Sequence, residues 1–474
     1  MAKVAAVIIM AAGQGTRMKS ARPKVLHEVA GRSMIQHAIT AANALQPERL
    51  VVVLGHQREF VEAHLEDVAP NVTIAVQEQM LGTGDAVRAG LEAVGEARGE
   101  IVVTSGDVPL LAGETLQELV ATHRRGGHSA TVLTAKVPDP TGYGRIIRDG
   151  ERVVRIVEHR DASEAERQID EINSGIYVFD AAVLRDGIAH LGTDNSQGEF
   201  YLTDVVEHIN ATGGTVGGHV LLDYRQTEGV NDRLQLAARN AEYNARILRH
   251  WMTEGVTVVD PATTWVHADV DLAQDVTLLP GTSLEGATSV ASGAVIGPDT
   301  TLRDVEVGEG ASVVRTHGSL AVIEAGASVG PFSYLRPGTV VGAGAKVGAF
   351  VEAKNAQLGA GAKVPHLTYC GDAVVGEGSN IGAGTIFANY DGVNKSTSTV
   401  GKHAFVGSDS VLVAPVNIAD GAYVAAGSVV TGDVGPGELA VARGRQRNVP
   451  GWVERKRAGT PSETAARAAA AGGE

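Results

Sequence analysis

Residues 335–348 read Leu335-Arg336-Pro337-Gly338-Thr339-Val340-Val341-Gly342-Ala343-Gly344-Ala345-Lys346-Val347-Gly348, with an apolar residue at every sixth position. The spacing recurs in three runs, whose apolar members are Ile323, Val329, Leu335, Val341, Val347, then Val375, Ile381, Phe387, then Val400, Val406, Leu412, Ile418, Val424 and Val430. Such a hexapeptide repeat is typical of a parallel β-helix, in which three short strands form one coil and stacked coils bury each other's interiors. We therefore predict a β-helix over residues 255–452.

The repeat breaks once, between Phe387 and Val400, which lie thirteen residues apart rather than twelve. The polar segment 388–399 fills this gap. Insertions in repeats tend to fall on the binding face, so we expect this segment at a ligand site. Residues 453–474, rich toward their end in alanine, glycine and threonine, are predicted to be a disordered C-terminal tail.

The first half of the chain has a different pattern. Short aliphatic runs, predicted to be strands, alternate with amphipathic helical patterns such as 34–45 and 84–94. This alternation favours an α/β, Rossmann-like domain with a mostly parallel sheet over residues 1–230. Apolar residues then recur at alternating four- and three-residue steps, which predicts a linker helix over 231–254. Since ligands bind at the carboxyl ends of such strands, the loops after Met10 and Thr104 are the candidate site.

Composition limits the function classes. The 474 residues carry a formal charge of −15, whereas nucleic-acid and anionic-membrane binders are basic, so neither partner is expected. The single cysteine, Cys370, excludes an internal disulfide and fits a cytoplasmic protein; we interpret it as a buried packing residue. The nine-residue apolar run at 4–12 is too short to span a membrane. A short signal peptide is the alternative interpretation of that run.

Two loops of the first half can hold phosphates and a metal. Gly13 and Gly15, followed by Arg17 and Lys24, suit a triphosphate, because glycines admit close backbone approach and cations offset its charge. Asp107 ends a buried-type strand, and carboxylates plus substrate phosphates commonly hold Mg²⁺. The alternatives are a plain tight turn, solvated cations, and an aspartate that caps a turn.

The β-helix half has its own candidate site. His366 interrupts the repeat, and Arg336, Lys354 and the residues near 369–372 recur at about one three-face coil, so we expect them to stack on one side. Two cations and a histidine suit a sugar phosphate. The alternatives are a surface or packing histidine and, for the basic segment 443–447, a solvated turn.

Several motifs together are more specific than any one of them. In order they are Ala11-Ala12-Gly13-Gln14-Gly15-Thr16-Arg17-Met18, Pro23-Lys24-Val25-Leu26, Gln77-Glu78-Gln79-Met80-Leu81-Gly82-Thr83-Gly84, Gly106-Asp107-Val108-Pro109-Leu110, Thr141-Gly142-Tyr143-Gly144-Arg145-Ile146, Ile156-Val157-Glu158-His159, Glu171-Ile172-Asn173-Ser174-Gly175 and Gly229-Val230-Asn231-Asp232. With them, residues 4–452 resemble the bacterial family of bifunctional N-acetylglucosamine-1-phosphate uridyltransferase and glucosamine-1-phosphate N-acetyltransferase.

The resemblance implies roles for the first half. UTP and the product UDP-N-acetylglucosamine would be held by Met10, Ala11, Ala12, Gly13, Lys24, Gln77, Gly82, Thr83, Ser105, Gly144, Glu158, Asn173 and Asn231. Arg17 and Lys24 would act on the phosphates, and Asp107 and Asn231 would ligate Mg²⁺. Ser105 and Gln14 depart from the residues, tyrosine and lysine, that the family often has there.

The resemblance also implies roles for the second half. Glucosamine-1-phosphate would be bound by Arg336, Lys354, Tyr369 and Asn380, with His366 as the base in acetyl transfer. Acetyl-CoA would be bound by Ala383, Asn389, Tyr390, Ser408, Ala426 and Arg443. The family further implies a left-handed β-helix, a cytoplasmic homotrimer with acetyl-transfer sites between subunits, and a product used for peptidoglycan and lipopolysaccharide.

Two other functions remain open from the residues alone. The β-helix could be a trimerising stalk for a nucleotidyltransferase, or the whole chain could be a scaffold with a relict nucleotide-binding domain. His366 with Arg336 and Lys354 speaks against the stalk, and Lys24, Asp107 and Asn231 speak against the scaffold.

Overall fold

The computed structural model describes residues 3–472. Contacts within the chain divide it into two units, one of residues up to 272 together with 283–288, and one of residues 273–282 together with 289–472.

The first unit is built around a sheet of strands alternating with helices. Its strands before residue 230 are β1 (Ala6–Met10), β2 (Glu28–Val29), β3 (Arg32–Ser33), β4 (Arg49–Leu54), β5 (Thr73–Val76), β6 (Glu100–Ser105), β7 (Ala130–Lys136), β8 (Arg145–Asp149), β9 (Arg152–Val157), β10 (Glu171–Asp180) and β11 (Val216–Leu221). Its helices are α1 (Met34–Asn43), α2 (Arg58–Val68), α3 (Thr83–Val94), α4 (Gly113–Gly126), α5 (Glu164–Arg167), α6 (Ala181–Ala189), α7 (Asp204–Ala211) and α8 (Arg233–Thr253).

The sheet is mostly parallel, as predicted. Its order is β11-β7-β10-β6-β1-β4-β5, with β10 antiparallel to both neighbours and the β8–β9 hairpin paired to β10. Side chains alternate between two buried clusters along β1: Ala6 and Ile8 join one cluster, and Val7 and Ile9 join the other. A strand buried on both faces has helices on both sides of the sheet, which confirms the α/β prediction.

The two loops chosen as the candidate site meet at one edge of this sheet. Met10 at the end of β1 is paired with Ser105 at the end of β6, and the Gly106 amide donates a 2.9 Å hydrogen bond to the Met10 carbonyl. The loop after β1 therefore lies beside Asp107.

The predicted helix between the two halves is α8. The Asp232 side chain caps it by accepting a 2.8 Å hydrogen bond from the Gln235 amide. The structure groups this helix with the first unit.

Short parallel strands make up the rest of the chain to residue 440. They are β12 (Thr257–Val258), β13 (Trp265–Val266), β14 (Asp271–Leu272), β15 (Thr277–Leu278), β16 (Ser283–Glu285), β17 (Ser289–Val290), β18 (Val295–Ile296), β19 (Thr301–Val307), β20 (Ser312–Val313), β21 (Thr316–Ile323), β22 (Ser328–Val329), β23 (Ser333–Leu335), β24 (Val340–Val341), β25 (Lys346–Ala349), β26 (Glu352–Leu358), β27 (Lys363–His366), β28 (Tyr369–Val375), β29 (Asn380–Ile381), β30 (Ile386–Ala388), β31 (Ser398–Val400), β32 (Phe405–Val406), β33 (Val411–Val413), β34 (Val416–Ile418), β35 (Tyr423–Val424), β36 (Val429–Val430) and β37 (Leu439–Ala440). Those that belong to the second unit stack as a parallel β-helix, and every apolar residue of the three predicted runs is buried, with at most 4% of its surface exposed.

The prediction of a disordered tail is wrong for the described residues. The structure has helices α9 (Trp452–Lys456) and α10 (Pro461–Ala471) there. Alanine is the strongest helix former, proline is favoured in the first turn, and Glu463 pairs with Arg467 one turn later at 2.7 Å. The composition that we interpreted as disorder is therefore also a helix-forming composition. Residues 473–474 lie outside the described part of the chain.

Across residues 3–472, no helix combines the length and the apolar character that crossing a membrane requires.

Candidate active sites

A cavity of about 290 Å³ opens at the edge of the first sheet where β1 and β6 end. Ten of its lining residues are those predicted for nucleotide and metal binding: Met10, Ala11, Ala12, Gly13, Lys24, Gln77, Gly82, Thr83, Ser105 and Asp107. The structure therefore brings most of the predicted first site together.

Lys24 joins the two predicted metal ligands. Its ammonium contacts one carboxylate oxygen of Asp107 and lies 3.5 Å from the Asn231 side-chain oxygen. Gly15 makes this position possible: its φ is +62°, and a Cβ there would lie 2.6 Å from the Lys24 Cβ. The second glycine of the loop thus admits the lysine to the site.

Asp107 is held by Ser105, two residues before it, and by the backbone next to Asn231. Ser105 Oγ donates a 2.7 Å hydrogen bond to Asp107 Oδ1, and the amide of Val230, next to Asn231, donates one of 2.9 Å to the Asp107 carbonyl. The sequence marked Ser105 as a departure from the family, whereas in the structure it orients the carboxylate.

Gln77 lies in the cavity wall with its amide orientation fixed. Its side chain is buried, and Nε2 donates to the Gly82 carbonyl at 3.1 Å and to Asp85 at 3.0 Å. Both donor bonds go to the protein, so the amide oxygen is the atom left to meet a ligand.

Gly144, Glu158 and Asn173 form a neighbouring group that does not line this cavity. The Asn173 amide donates a 2.9 Å hydrogen bond to the Gly144 carbonyl, and a Cβ on Gly144 would lie 3.4 Å from a Glu158 carboxylate oxygen. Burial raises the pKa of Glu158.

Arg17 is exposed in the short turn Thr16–Met18.

In the second unit, the predicted stacking on one face of the β-helix is confirmed by strand register. Ala353 pairs with Leu335 on one side and with Cys370 on the other, which places Arg336, Lys354 and Gly371 in line across three coils. Arg336 forms a 2.9 Å ion pair with Glu352, and Lys354 lies 3.4 Å from Asp372.

Asp372 is the centre of this cluster. Asn355 donates to it at 2.9 Å, and Asn389 from the inserted segment also donates to it. Burial by itself raises the pKa of Asp372, but these hydrogen bonds and the Lys354 ammonium lower it below its ordinary value. Asp372 is therefore an anion that holds Lys354 and Asn389 in place.

The inserted segment packs against Asp372, beside Arg336 and Lys354, and we call this group the cation cluster. It folds back through a bridge between Tyr390 and Lys395, and Asn389 Nδ2 is 3.4 Å from the Tyr369 hydroxyl. Contact with Lys354 lowers the pKa of Lys395, so two ammonium groups face each other here.

His366 and most of the predicted coenzyme residues lie along a different line, one corner of the β-helix. Backbone hydrogen bonds link successive coils there. The Gly384 amide donates to the His366 carbonyl at 3.3 Å, the Asp409 amide to the Ala383 carbonyl at 2.7 Å, and the Gly427 amide to the Ser408 carbonyl at 2.8 Å. The Arg443 guanidinium ends the line, donating a 2.7 Å bond to the Ala426 carbonyl. We call this line of His366, Ala383, Ser408, Ala426 and Arg443 the coenzyme edge, after the role predicted for it.

Three further predicted residues occupy distinct places. Asn380 pairs in register with Lys363, on the strand that ends at His366. Tyr390 is exposed, and its hydroxyl donates to the Gly392 carbonyl at 2.6 Å. Cys370 is buried, and burial raises the pKa of its thiol to about 12, which confirms its interpretation as a packing residue.

The sequence analysis did not anticipate every contact at these sites. Glu199 lines the first cavity, and the neighbouring Phe200 carbonyl accepts from the Gly84 amide at 2.8 Å. Asp372 and Lys395 complete the cation cluster. Asp372 lies eighteen residues after Lys354, within the stretch near 369–372 that was predicted to stack with it, whereas nothing in the sequence pointed to Lys395.

Comparison with known proteins agrees with both halves. A family model described as "Nucleotidyl transferase" matches residues 6–224. "Bifunctional protein GlmU" of Streptomyces coelicolor is 56% identical over 98% of this chain and 97% of its own length. Those of Streptomyces avermitilis and Kineococcus radiotolerans are each 55% identical over 98% of this chain, and over 97% and 95% of their own lengths.

The chain belongs to the GlmU family. It is accordingly a bifunctional enzyme, a UTP:N-acetylglucosamine-1-phosphate uridylyltransferase and a glucosamine-1-phosphate N-acetyltransferase. Its fold is that of the GlmU family, a Rossmann-like nucleotidyltransferase domain followed by a left-handed parallel β-helix.

Proposed function

We propose that the cavity of the first unit transfers UMP to N-acetylglucosamine-1-phosphate, and that the β-helix site acetylates glucosamine-1-phosphate. The observation that carries the proposal is the meeting of Asp107, Asn231 and Lys24 beside the glycine loop. Its counterpart in the β-helix is the cation cluster of Arg336, Lys354 and Lys395 together with the coenzyme edge that begins at His366.

Uridyl transfer brings two anions together. An oxygen of the sugar phosphate attacks the α-phosphorus of UTP in line, and the bond to pyrophosphate breaks. Lys24 and Arg17 offset the phosphate charge, while the Gln77 amide oxygen accepts from the N3–H of uracil. Positioning in an ordered site contributes about 7–11 kcal/mol to such a reaction, and no protein nucleophile is needed.

Asp107 and Asn231 fit a magnesium ion. A carboxylate and an amide oxygen are hard oxygen donors, and the ammonium of Lys24 between them marks a place where the fold favours positive charge. Mg²⁺ bound there would supply neutralisation of the charge that develops on the phosphates.

Acetyl transfer needs a base and a phosphate anchor. His366 takes a proton from the sugar amine as the nitrogen attacks the thioester carbonyl, and the C–S bond breaks to release the coenzyme thiol. Arg336, Lys354 and Lys395 hold the phosphate of the sugar, and Tyr369 and Asn380 its ring. The coenzyme edge offers small residues, with Arg443 at its end for the coenzyme phosphates.

Assays of both half-reactions test these assignments. Asp107→Ala is expected to lose uridyl transfer alone, and His366→Ala to lose acetyl transfer alone. Asp170→Ala and His403→Ala are matched controls outside both sites. A wild-type protein without acetyl transfer would support the stalk, and one without either activity would support the scaffold.

We also propose a homotrimer in the cytoplasm. Support for the trimer comes from an exposed apolar column, Phe332, Phe350 and Leu367, each more than half exposed, with the phenylalanine rings stacked at 5.3 Å. The column lies along the same corner as the coenzyme edge and ends next to His366. A neighbouring subunit covering it would therefore border the acetyl-transfer site. The single cysteine supports the cytoplasmic location.

Light scattering after size exclusion tests the trimer. The wild type is expected at three times the 49.0 kDa chain mass, and Phe350→Glu at one chain mass. Phe60→Glu replaces an equally exposed phenylalanine of α2 and should leave the trimer intact. A monomeric wild type would contradict the proposal.

A further inference from the structure

Three side chains of the types that ligate metals converge near the C-terminal ends of α6 and α7, and none of them lines the first cavity. Asp186, His190 and His208 each offer one ligand atom, and these atoms all lie within 4.8 Å of one another. His208 Nε2 is 2.8 Å from Asp186 Oδ2, and the two imidazole rings stack with centroids 4.7 Å apart.

The packing of the two helices holds the cluster together. Gly187 lies against Val205, and a Cβ at residue 187 would come within 2.6 Å of the Val205 Cγ1. Only glycine permits this approach, which brings Asp186 on α6 within reach of His208 on α7. Asp186 and His190 are four residues apart and so share one face of their helix.

The hydrogen bonding of His190 is that of a metal ligand. Its Nδ1 lies 2.8 Å from the backbone carbonyl of Asp186, and because a carbonyl only accepts, Nδ1 carries the proton. Nε2 is then the nitrogen that keeps a free lone pair. Metal-ligating histidines almost always donate their other ring N–H to a carbonyl or carboxylate in this way.

We propose that Asp186, His190 and His208 form a binding site for a divalent transition-metal ion of the Zn²⁺ class. Two imidazoles and one carboxylate suit such ions better than Mg²⁺ or Ca²⁺, which prefer oxygen ligands alone. The ion takes the place of the proton shared by His208 and Asp186. The three side chains supply three protein ligands, and water fills the remaining position.

The site ties together the two ends of segment 191–203, which walls the first cavity. Glu199 lines that cavity, the Phe200 carbonyl accepts from Gly84, and the Leu202 amide donates to the Thr83 hydroxyl at 3.0 Å. A metal bridging α6 and α7 therefore stabilises the fold of this wall. The inference stands apart from the proposed catalytic roles, because none of its ligands contacts the cavity.

The test is zinc binding to the full-length, tag-free protein. The protein is stripped with a chelator, dialysed, supplied with excess Mg²⁺ to occupy oxygen-rich sites, and titrated with Zn²⁺ by calorimetry and by equilibrium dialysis. Changes of groups that merely orient metal ligands already cost about 10- to 100-fold in affinity, so we expect Asp186→Asn and His208→Gln, which remove ligands, to weaken one zinc site at least about 10-fold. Zn²⁺ should also raise the thermal unfolding temperature of the wild type but not of these variants.

The controls keep the outcome clear. His250→Gln removes another exposed histidine and should bind zinc like the wild type. Circular dichroism checks that each variant is folded, and Co²⁺ in place of Zn²⁺ should give visible absorption that His208→Gln abolishes. Equal zinc affinity and stoichiometry in the wild type, Asp186→Asn and His208→Gln would overturn the proposal, even if both half-reactions map to the proposed sites.

Discussion

Ser105 Oγ donates a 2.7 Å hydrogen bond to Asp107 Oδ1, while Lys24 contacts the other carboxylate oxygen. The carboxylate is therefore held on both sides before any ligand enters. A hydroxyl two residues before the aspartate, at the end of β6, can reach it without distorting the strand.

Removing that hydroxyl should impair uridyl transfer. A hydrogen bond to a charged group contributes about 1.5–3 kcal/mol, so Ser105→Ala is expected to lower kcat/KM for uridyl transfer at least about tenfold. Steady-state kinetics of both half-reactions measure the effect, and acetyl transfer should not change. Ser105→Thr keeps a hydroxyl and should retain more activity than the alanine variant. Unchanged uridyl transfer in Ser105→Ala would show that Asp107 is oriented by other groups.

Gly15 should tolerate no side chain. Its left-handed backbone costs a residue with a Cβ about 1–2 kcal/mol, and the Cβ would in addition collide with Lys24. Gly15→Ala is therefore expected to lower the thermal stability of the first domain and to abolish most uridyl transfer by displacing Lys24.

Gly192→Ala is the matched control for that variant. Its Cβ would meet nothing within 4 Å, and its φ lies outside the left-handed region. If Gly15→Ala has the same thermal unfolding temperature and the same uridyl-transfer activity as Gly192→Ala, then the close approach to Lys24 is not required.

The β-helix could be predicted from the sequence because its order is local. A period of six fixes which residues point inward, and all the apolar members of the three runs are buried. The stacking of Arg336 and Lys354 followed from the same period, because three six-residue strands make one coil. The contacts of Asn389 and Lys395 could not be predicted, since an insertion has no period and its path depends on what it packs against.

The first domain shows the same limit. Strands ending in Met10 and Thr104 predicted where the site lies, because parallel strands present their carboxyl ends together. The segment around Glu199 and Phe200 reaches the cavity from more than 110 residues beyond Thr83, a contact that no local pattern records. The tail was missed for a different reason, since alanine-rich composition is compatible with both disorder and helix.

Lys395 is expected to contribute to binding of the sugar phosphate. It and Lys354 repel each other, as the lowered pKa of Lys395 indicates, and an anion between them relieves that repulsion. Lys395→Ala should raise KM for glucosamine-1-phosphate about fivefold, as expected for an exposed ion pair, with a smaller change in kcat. Lys402→Ala, which removes an exposed lysine paired with Glu377, is the control. The same KM in Lys395→Ala and the wild type would exclude this contact.

His37 should make the first domain less stable in mild acid. Its ring is buried in α1, where Nε2–H donates a 2.8 Å hydrogen bond to the Val29 carbonyl, and burial lowers its pKa from 6.5 to about 4. Between these two values the unfolded chain binds a proton that the folded one does not, so stability falls as the pH falls from about 6.5 to about 4. The loss in the free energy of unfolding over that window is up to about 3 kcal/mol.

Urea unfolding at pH 7 and pH 4.5 measures this loss. His37→Gln, which keeps a hydrogen-bond donor without titrating, should reduce the difference between the two pH values. His56→Gln, at an exposed histidine, should leave the difference as in the wild type, and a wild-type difference that His37→Gln does not reduce would assign the acid sensitivity to other groups.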